Sequence, residues 1–127
     1  MMPGNSDIAD SLVELYLCGR KTAGSGLVKD YELAGDPLPR IGDYWIVLDS
    51  KGQPRCVAKT IRVAIHSFES VTEEIAIAEG EGDLSLEYWR QGHQKFFAPY
   101  LDKLGIEDLR KAQIVTEFYE VWIPIFT

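Results

Sequence analysis

Two runs dense in β-branched and aromatic residues, Tyr44 to Leu48 and Arg55 to Ile65, flank the turn-forming tetrad Asp49-Ser50-Lys51-Gly52. No other feature of the chain constrains its fold as strongly, because this arrangement predicts a β-hairpin. In the second run Cys56, Ala58, Thr60, Arg62 and Ala64 share one face. Val57, Lys59, Ile61, Val63 and Ile65 share the other, which is the more apolar apart from Lys59. A third run, Ile114 to Ile123, sets Val115, Glu117, Tyr119 and Val121 against Ile114, Thr116, Phe118, Glu120 and Trp122. Aromatic residues on both faces predict a small barrel whose outside is also partly covered.

Helical periodicity fills the remainder. Asp7 to Cys18 repeats Ile8, Leu12 and Leu15, with Val13 and Tyr16 beside them, behind Ser6 or Asp7 as the N-cap and before Gly19 as the stop. Leu27 to Leu33 predicts a short helical turn, closed by Gly35, with Pro37 and Pro39 leading into the hairpin. Ser70 and Glu73 have capping-box spacing ahead of the stripe Val71, Ile75 and Ala78, and that helix stops near Glu79 and Gly80. After the acidic turn Gly80-Glu81-Gly82-Asp83, a longer helix is predicted from Leu84 to Tyr100, with Leu86, Trp89, His93, Phe96 and Phe97 on or near one face. The order helix, strands, helices, strand describes one α+β domain over residues 1–127, without repeat or linker.

Composition narrows the function. A formal net charge of -7 argues against a broad grip on a polynucleotide backbone, which depends on neutralising phosphates with Lys and Arg. A small ligand or a short single strand held by base contacts fits better, and DNA is not expected as a partner. No leader pattern precedes residue 7 and no apolar run approaches the roughly 20 residues needed to span a bilayer, so a cytoplasmic protein with no membrane partner is expected. Cys18 and Cys56 lack metal or redox spacing and are expected to be buried, reduced thiols. With two histidines and no short-spaced ligand pair, neither a zinc site nor a cofactor is expected.

The chemistry concentrates in Gly19-Arg20-Lys21-Thr22-Ala23-Gly24-Ser25-Gly26. Its glycines permit close backbone approach, while Lys21, Thr22 and Ser25 offer a charge and two hydroxyls. Lys21 could act as a base only if burial or Arg20 lowered its pKa. A carboxylate such as Glu79 would hold it protonated, which suits oxyanion stabilisation instead. Trp89 and His93 stand side by side at helical spacing, with Arg90 adjacent, and an indole and a guanidinium are good surfaces for stacking a nucleobase. The competing reading makes Trp89 and Phe97 core residues and His93 a hydrogen-bonded, half-buried histidine. His66, at a strand end, reads as structural. Glu79, Glu81 and Asp83 could gather a divalent ion, or could form a solvated turn in which Asp83 or Ser85 caps the next helix.

Taken together, Gly19-x-Lys21-Thr22, Ile41-Gly42-Asp43 at the hairpin, Val71-Thr72-Glu73-Glu74, and Ala78 to Asp83 ahead of Leu86-Glu87-Tyr88-Trp89-Arg90 resemble the ASCH family of the PUA-like superfamily. The resemblance runs from about Asp7 to Phe126, with the motifs in family order. It implies a small β-barrel with surrounding helices and a cleft between the first helix, the loop after it and the barrel mouth. It also implies an RNA-related role, since assigned members include an amidohydrolase acting on N4-acetylcytidine and an RNA-cleaving protein.

Carried over residue by residue, the amidohydrolase pattern places its lysine at Lys21 and its glutamate at Glu79. The threonine three residues after the lysine falls on Gly24, and the arginine five residues after it falls on Gly26. A hydroxyl would then have to come from Ser25 or Thr22, and a cation from Lys29, Arg20 or Arg90. The resemblance thus implies a cleft for a nucleoside or short single-stranded RNA. Lys21, Glu79, Ser25 and Thr22 are its candidate catalytic residues, and Arg20, Trp89, Arg90 and His93 its candidate ligand-binding residues. Hydrolysis of a modified nucleoside's amide, non-catalytic RNA binding and metal-assisted ribonuclease action all remain open readings.

Overall fold

In the computed structural model, residues 6–122 are described, with side-chain surroundings from residue 10 onward. Four helices surround one antiparallel sheet: α1 (Ser6–Leu17), β1 (Ala23–Leu27), α2 (Val28–Ala34), β2 (Tyr44–Leu48), β3 (Pro54–Ser67), α3 (Glu73–Glu79), α4 (Leu86–Phe97) and β4 (Gln113–Trp122). Single 3-10 turns occupy Phe68–Ser70, Ala98–Tyr100 and Leu109–Lys111. The strand order is β1-β4-β3-β2, and the sheet curls into a half-barrel, an α+β, PUA-like arrangement. The caps proposed at Ser6 and Asp7, together with Ile8 and Ile123, lie outside the described side chains.

β1 is a strand that composition concealed. Ala-Gly-Ser-Gly-Leu has poor β-propensity, yet it pairs along its whole length with β4, from Ala23 opposite Phe118 to Leu27 opposite Ile114. Tertiary pairing supplies what local preference does not. The predicted turn from Leu27 then becomes α2, closed by Gly35 in the left-handed conformation.

β3 buries the less apolar of its two faces. Cys56, Ala58 and Thr60 are fully buried, while Ile61 and Ile65 are about half exposed. A register shift between Thr60 and Arg62 against β4 turns the strand there. Before the shift, the Cys56-Ala58-Thr60 face pairs with Val47, Trp45, Val121 and Tyr119 and packs on Val13, Tyr16 and Leu17 of α1. After it, Arg62, Ala64 and His66 lie beside Phe118, Thr116 and Ile114, on the opposite side of β4. That side, with Ala23 and Leu27, carries the main core beneath α3 and α4, built on Phe68, Val71, Ile75, Trp89 and Phe97. The sheet therefore has an α1 face and an α3/α4 face. Each ladder residue belongs to one of them by parity.

Several local expectations are corrected. The first turn of α3 begins after Thr72 rather than at Ser70, whose hydroxyl pairs instead with Ser67 Oγ at 2.6 Å across the preceding 3-10 turn. α4 starts at Leu86 because Ser85 accepts a hydrogen bond from Tyr88 N and Leu84 takes a positive φ of 67°. Phe96 is half exposed rather than part of the buried stripe, and Cys18 is exposed whereas Cys56 is buried. Among the described residues, no helix is long and apolar enough to cross a membrane.

Candidate functional site

Backbone geometry at two glycines delivers Lys21 to the end of α3. Gly19, with φ of 77°, closes α1: its N–H donates to Tyr16 O and the next N–H, of Arg20, to Leu15 O. The chain then runs against Gly80, where a Cβ would lie 2.1 Å from the Arg20 carbonyl oxygen. Only glycine permits that approach, and it also takes the left-handed conformation that ends α3. Thr22 completes the junction, its N–H and its hydroxyl donating to Ala78 O at 2.6 and 3.1 Å.

Lys21 and Glu79 meet in the interior. The Lys21 ammonium donates to Glu81 Oε2 at 3.0 Å and to the Glu79 carbonyl at 3.3 Å, and lies 3.7 Å from Glu79 Oε1. It stands 6.0 Å from the centre of the Tyr16 ring. Glu79, only 2% exposed, accepts from Ser25 Oγ at 2.7 Å and from the Trp89 indole N–H, and Nε2 of His93 sits 3.2 Å from its Oε1. His93 stacks on Trp89 with ring centres 4.0 Å apart, its other nitrogen 2.8 Å from Trp89 O. A buried carboxylate is tolerable only when its lone pairs are taken up, and here both oxygens are engaged.

Electrostatics fix the charge states. Burial alone would lower the Lys21 pKa, but the carboxylates of Glu79 and Glu81 and the Tyr16 phenol outweigh it and hold it above the ordinary value. Burial would likewise raise Glu79, yet the hydrogen bond and charge of His93, the charge of Lys21 and the Trp89 hydrogen bond hold it below. Neither group is poised to exchange a proton near neutrality.

A directed chain of hydrogen bonds reaches Glu79 from the sheet. Ser25 gives its one proton to Glu79, so the proton in its 2.7 Å contact with Thr116 belongs to Thr116. Thr116, fully buried, is then the acceptor in its 3.0 Å contact with His66 Nε2. Thr116 and His66 thus join the cluster. The visible signal for Thr116 was a polar residue on the face of β4 that also carries Ile114 and Phe118.

The remaining candidates stand apart. Arg20 donates to Gly82 O at 3.1 Å and Arg90 to Glu69 O at 3.0 Å, each held on a backbone carbonyl. Trp89 is 3% exposed, so its ring offers no open stacking surface for a base. Asp83 caps the backbone N–H of Ser85 at 2.9 Å while Glu79 faces inward, so the three acidic residues do not converge. Among the described residues, no group of three or more His, Cys, Asp or Glu side chains is arranged to hold a metal ion.

Gly24 and Gly26 point the other way, onto the α1 face with Glu117 and Val115. A Cβ at Gly24 would sit 3.6 Å from the Tyr119 hydroxyl, and one at Gly26 would sit 3.4 Å from the Tyr31 ring. Ser25 therefore does not replace the hydroxyl missing at position 24, because it lies on the opposite side of the sheet. Beyond these glycines, Tyr31, residues 37–39, Asp43, Tyr44, Trp45 and Glu117 line a groove of about 310 Å³.

Comparison with known proteins gives a consistent answer. The ASCH domain profile matches residues 1–122. The crystal structure of the ASCH domain from Lactobacillus crispatus JV V101 superposes with a TM-score of 0.87 at 31% identity, covering 94% of this chain and 76% of that one. Protein EF3133 from Enterococcus faecalis V583 superposes with a TM-score of 0.85 at 31% identity, covering 97% of this chain and 74% of that one. No curated protein matches the chain in sequence. With the profile spanning nearly its whole length and the same curled sheet and helices, this chain belongs to the ASCH domain family.

Proposed function

We propose that this protein binds a nucleoside or a single unpaired RNA base and does not hydrolyse it. ASCH domains are PUA-like folds often linked to RNA binding, and the net charge of -7 favours a small ligand over a long phosphate backbone. The observation that carries the reading is the state of Lys21 and Glu79. Both are charged, buried and fully engaged, and the position where the hydrolytic pattern has a hydroxyl is Gly24. A general base needs a pKa near the working pH, and Glu79 is held on the wrong side of its ordinary value. In this reading Lys21, Glu79, Ser25, Thr22 and His93 form the frame that fixes the loop 19–22 and β1, and Arg20 and Arg90 hold its borders.

Amide hydrolysis of a nucleoside such as N4-acetylcytidine is the second reading, supported by the 2.7 Å hydrogen bond from Ser25 to Glu79 with a charged lysine alongside. Metal-assisted RNA cleavage lacks converging carboxylates among the described residues. Two measurements on the purified chain separate the classes. Calorimetric titration should show saturable nucleoside binding that changes little with salt, whereas incubation with N4-acetylcytidine should release no acetate. Acetate release that Ser25→Ala or Lys21→Met abolishes would replace the binding reading with the hydrolytic one.

A further inference from the structure

The groove on the α1 face is separate from the Glu79 cluster, and its chemistry specifies an occupant. At about 310 Å³ it sits at the small end of ligand pockets, which run upward from roughly 300 Å³. A single ring system with part of a sugar matches that size; a folded strand does not. Its walls are flat and apolar: Tyr31, Trp45, Pro37 and Pro39. Trp45 is fixed in place, edge-on to Tyr119 at 5.1 Å and 90° and to Tyr16 at 5.6 Å and 82°. Tyr31 lies against the bare backbone of Gly26, 3.4 Å from where a Cβ would stand. Preorganised aromatic walls of this kind suit a planar ring.

The charged groups that line the groove are acceptors, and its donors are the hydroxyls of Tyr31 and Tyr44 and the indole N–H of Trp45, which is buried without a partner among the described residues. Among the described residues, Asp43 and Glu117 are its only charged lining residues, and neither Lys nor Arg contributes to the lining. Glu117 receives one hydrogen bond, from Thr60 Oγ1 to Oε2 at 2.9 Å, and Asp43 Oδ2 receives the Arg40 N–H at 3.0 Å. Burial, and then the charge of Asp43, raise the Glu117 pKa, with the Thr60 hydrogen bond opposing them. A ligand that brings N–H donors relieves this desolvation, whereas one that brings phosphate meets two carboxylates in the lining, the Lys59 ammonium being placed over the Tyr44 ring, 5.6 Å from its centre.

We propose that this groove is the seat of the base, and that it takes a planar heterocycle bearing an exocyclic amino group, as the free base or nucleoside, with Glu117 accepting from the amino group and Asp43 keeping phosphate out. The proposal rests on the base-binding reading above and adds the site and the ligand class. Uracil-type rings, which present a carbonyl where cytosine presents an amino group, would leave Glu117 facing an acceptor.

The test titrates the full chain with cytidine, uridine and cytidine 5′-monophosphate, by calorimetry and by following the tryptophan indole N–H resonances. The expected result is cytidine binding at least about tenfold tighter than uridine and no gain from the 5′-phosphate. The Trp45 indole resonance should shift and that of Trp89 should stay. Glu117→Gln should weaken cytidine about tenfold or more while keeping a cooperative melt, and Gly26→Val, which crowds Tyr31, should weaken it independently. If cytidine binds the wild type while Glu117→Gln and Gly26→Val bind equally well, or if Trp89 responds instead of Trp45, the groove is not the seat and base binding stands. If the wild type binds no nucleoside, both readings fall.

Discussion

Glu79 and Glu117 are both partly or wholly withdrawn from water, on opposite faces of the same sheet, and the protein treats them in opposite ways. Glu79 is surrounded by donors from α4, β1 and the loop after α1, and its pKa is held down. Glu117 has Thr60 as its one hydrogen-bond donor among the described residues, a neighbouring carboxylate and a groove in front of it, and its pKa is pushed up. A carboxylate whose lone pairs are spent inside the fold holds structure together. One that is desolvated and under-supplied with donors is available to something that arrives with them.

Breaking the Glu79 side should cost the most. Glu79→Ala leaves the Trp89 indole and Ser25 without their acceptor and takes from Lys21 one of its two carboxylates, and equilibrium urea unfolding should show a loss of about 3–5 kcal/mol. A loss under about 1 kcal/mol would end the contrast, since Glu79 would then hold nothing together. Gly80→Ala comes next at about 2–3 kcal/mol. Its Cβ meets the Arg20 carbonyl at 2.1 Å, and the residue must keep φ at 72°. Gly24→Ala has open backbone and an ordinary 3.6 Å contact, so its melting curve should scarcely differ from wild type.

Ser25→Ala interrupts the hydrogen-bond chain and should cost about 1 kcal/mol, with Thr116 losing the acceptor for its proton. One small effect carries the opposite sign. Glu117→Gln should stabilise the fold at neutral pH by less than about 1 kcal/mol, because the group is half open to water and its cost is screened.

The pH dependence sharpens the same contrast. Glu79, with its folded pKa depressed, stabilises the fold above the ordinary glutamate value of 4.5, and that contribution disappears as pH falls through the depressed value. Glu117, with its folded pKa raised, costs stability above that raised value, and the cost is relieved as pH falls through it toward 4.5. Thermal melts should therefore show a small gain on acidifying from neutrality toward 4.5 and a larger loss below it. Glu117→Gln should remove the gain and leave the loss.

Much of the framework was legible. The hairpin from Tyr44 to Ile65, the long last strand, α1 ending at Gly19 and α3 ending at Gly80 all follow from local periodicity and glycine placement. Lys21 and Glu79 were paired through the family resemblance, and the structure brings them within 3.7 Å. β1 was not legible, because glycine and serine carry no β signal and the strand exists through its pairing with β4. The buried face of β3 was misleading for a related reason. Average hydrophobicity favoured the Ile61 and Ile65 side, while the bulge after Thr60 and the packing of α1 chose the other.

By itself the sequence determined most of the elements, β1 excepted, the single lysine worth weighing and the absence of a hydroxyl at position 24, since these depend on residue identity and short-range periodicity. Only the tertiary structure decided which side of the sheet each polar group occupies. Strand parity sends Ser25 toward Glu79 and Gly24 toward the groove, and parity is fixed by register against β4, a long-range property that no local stretch of chain encodes.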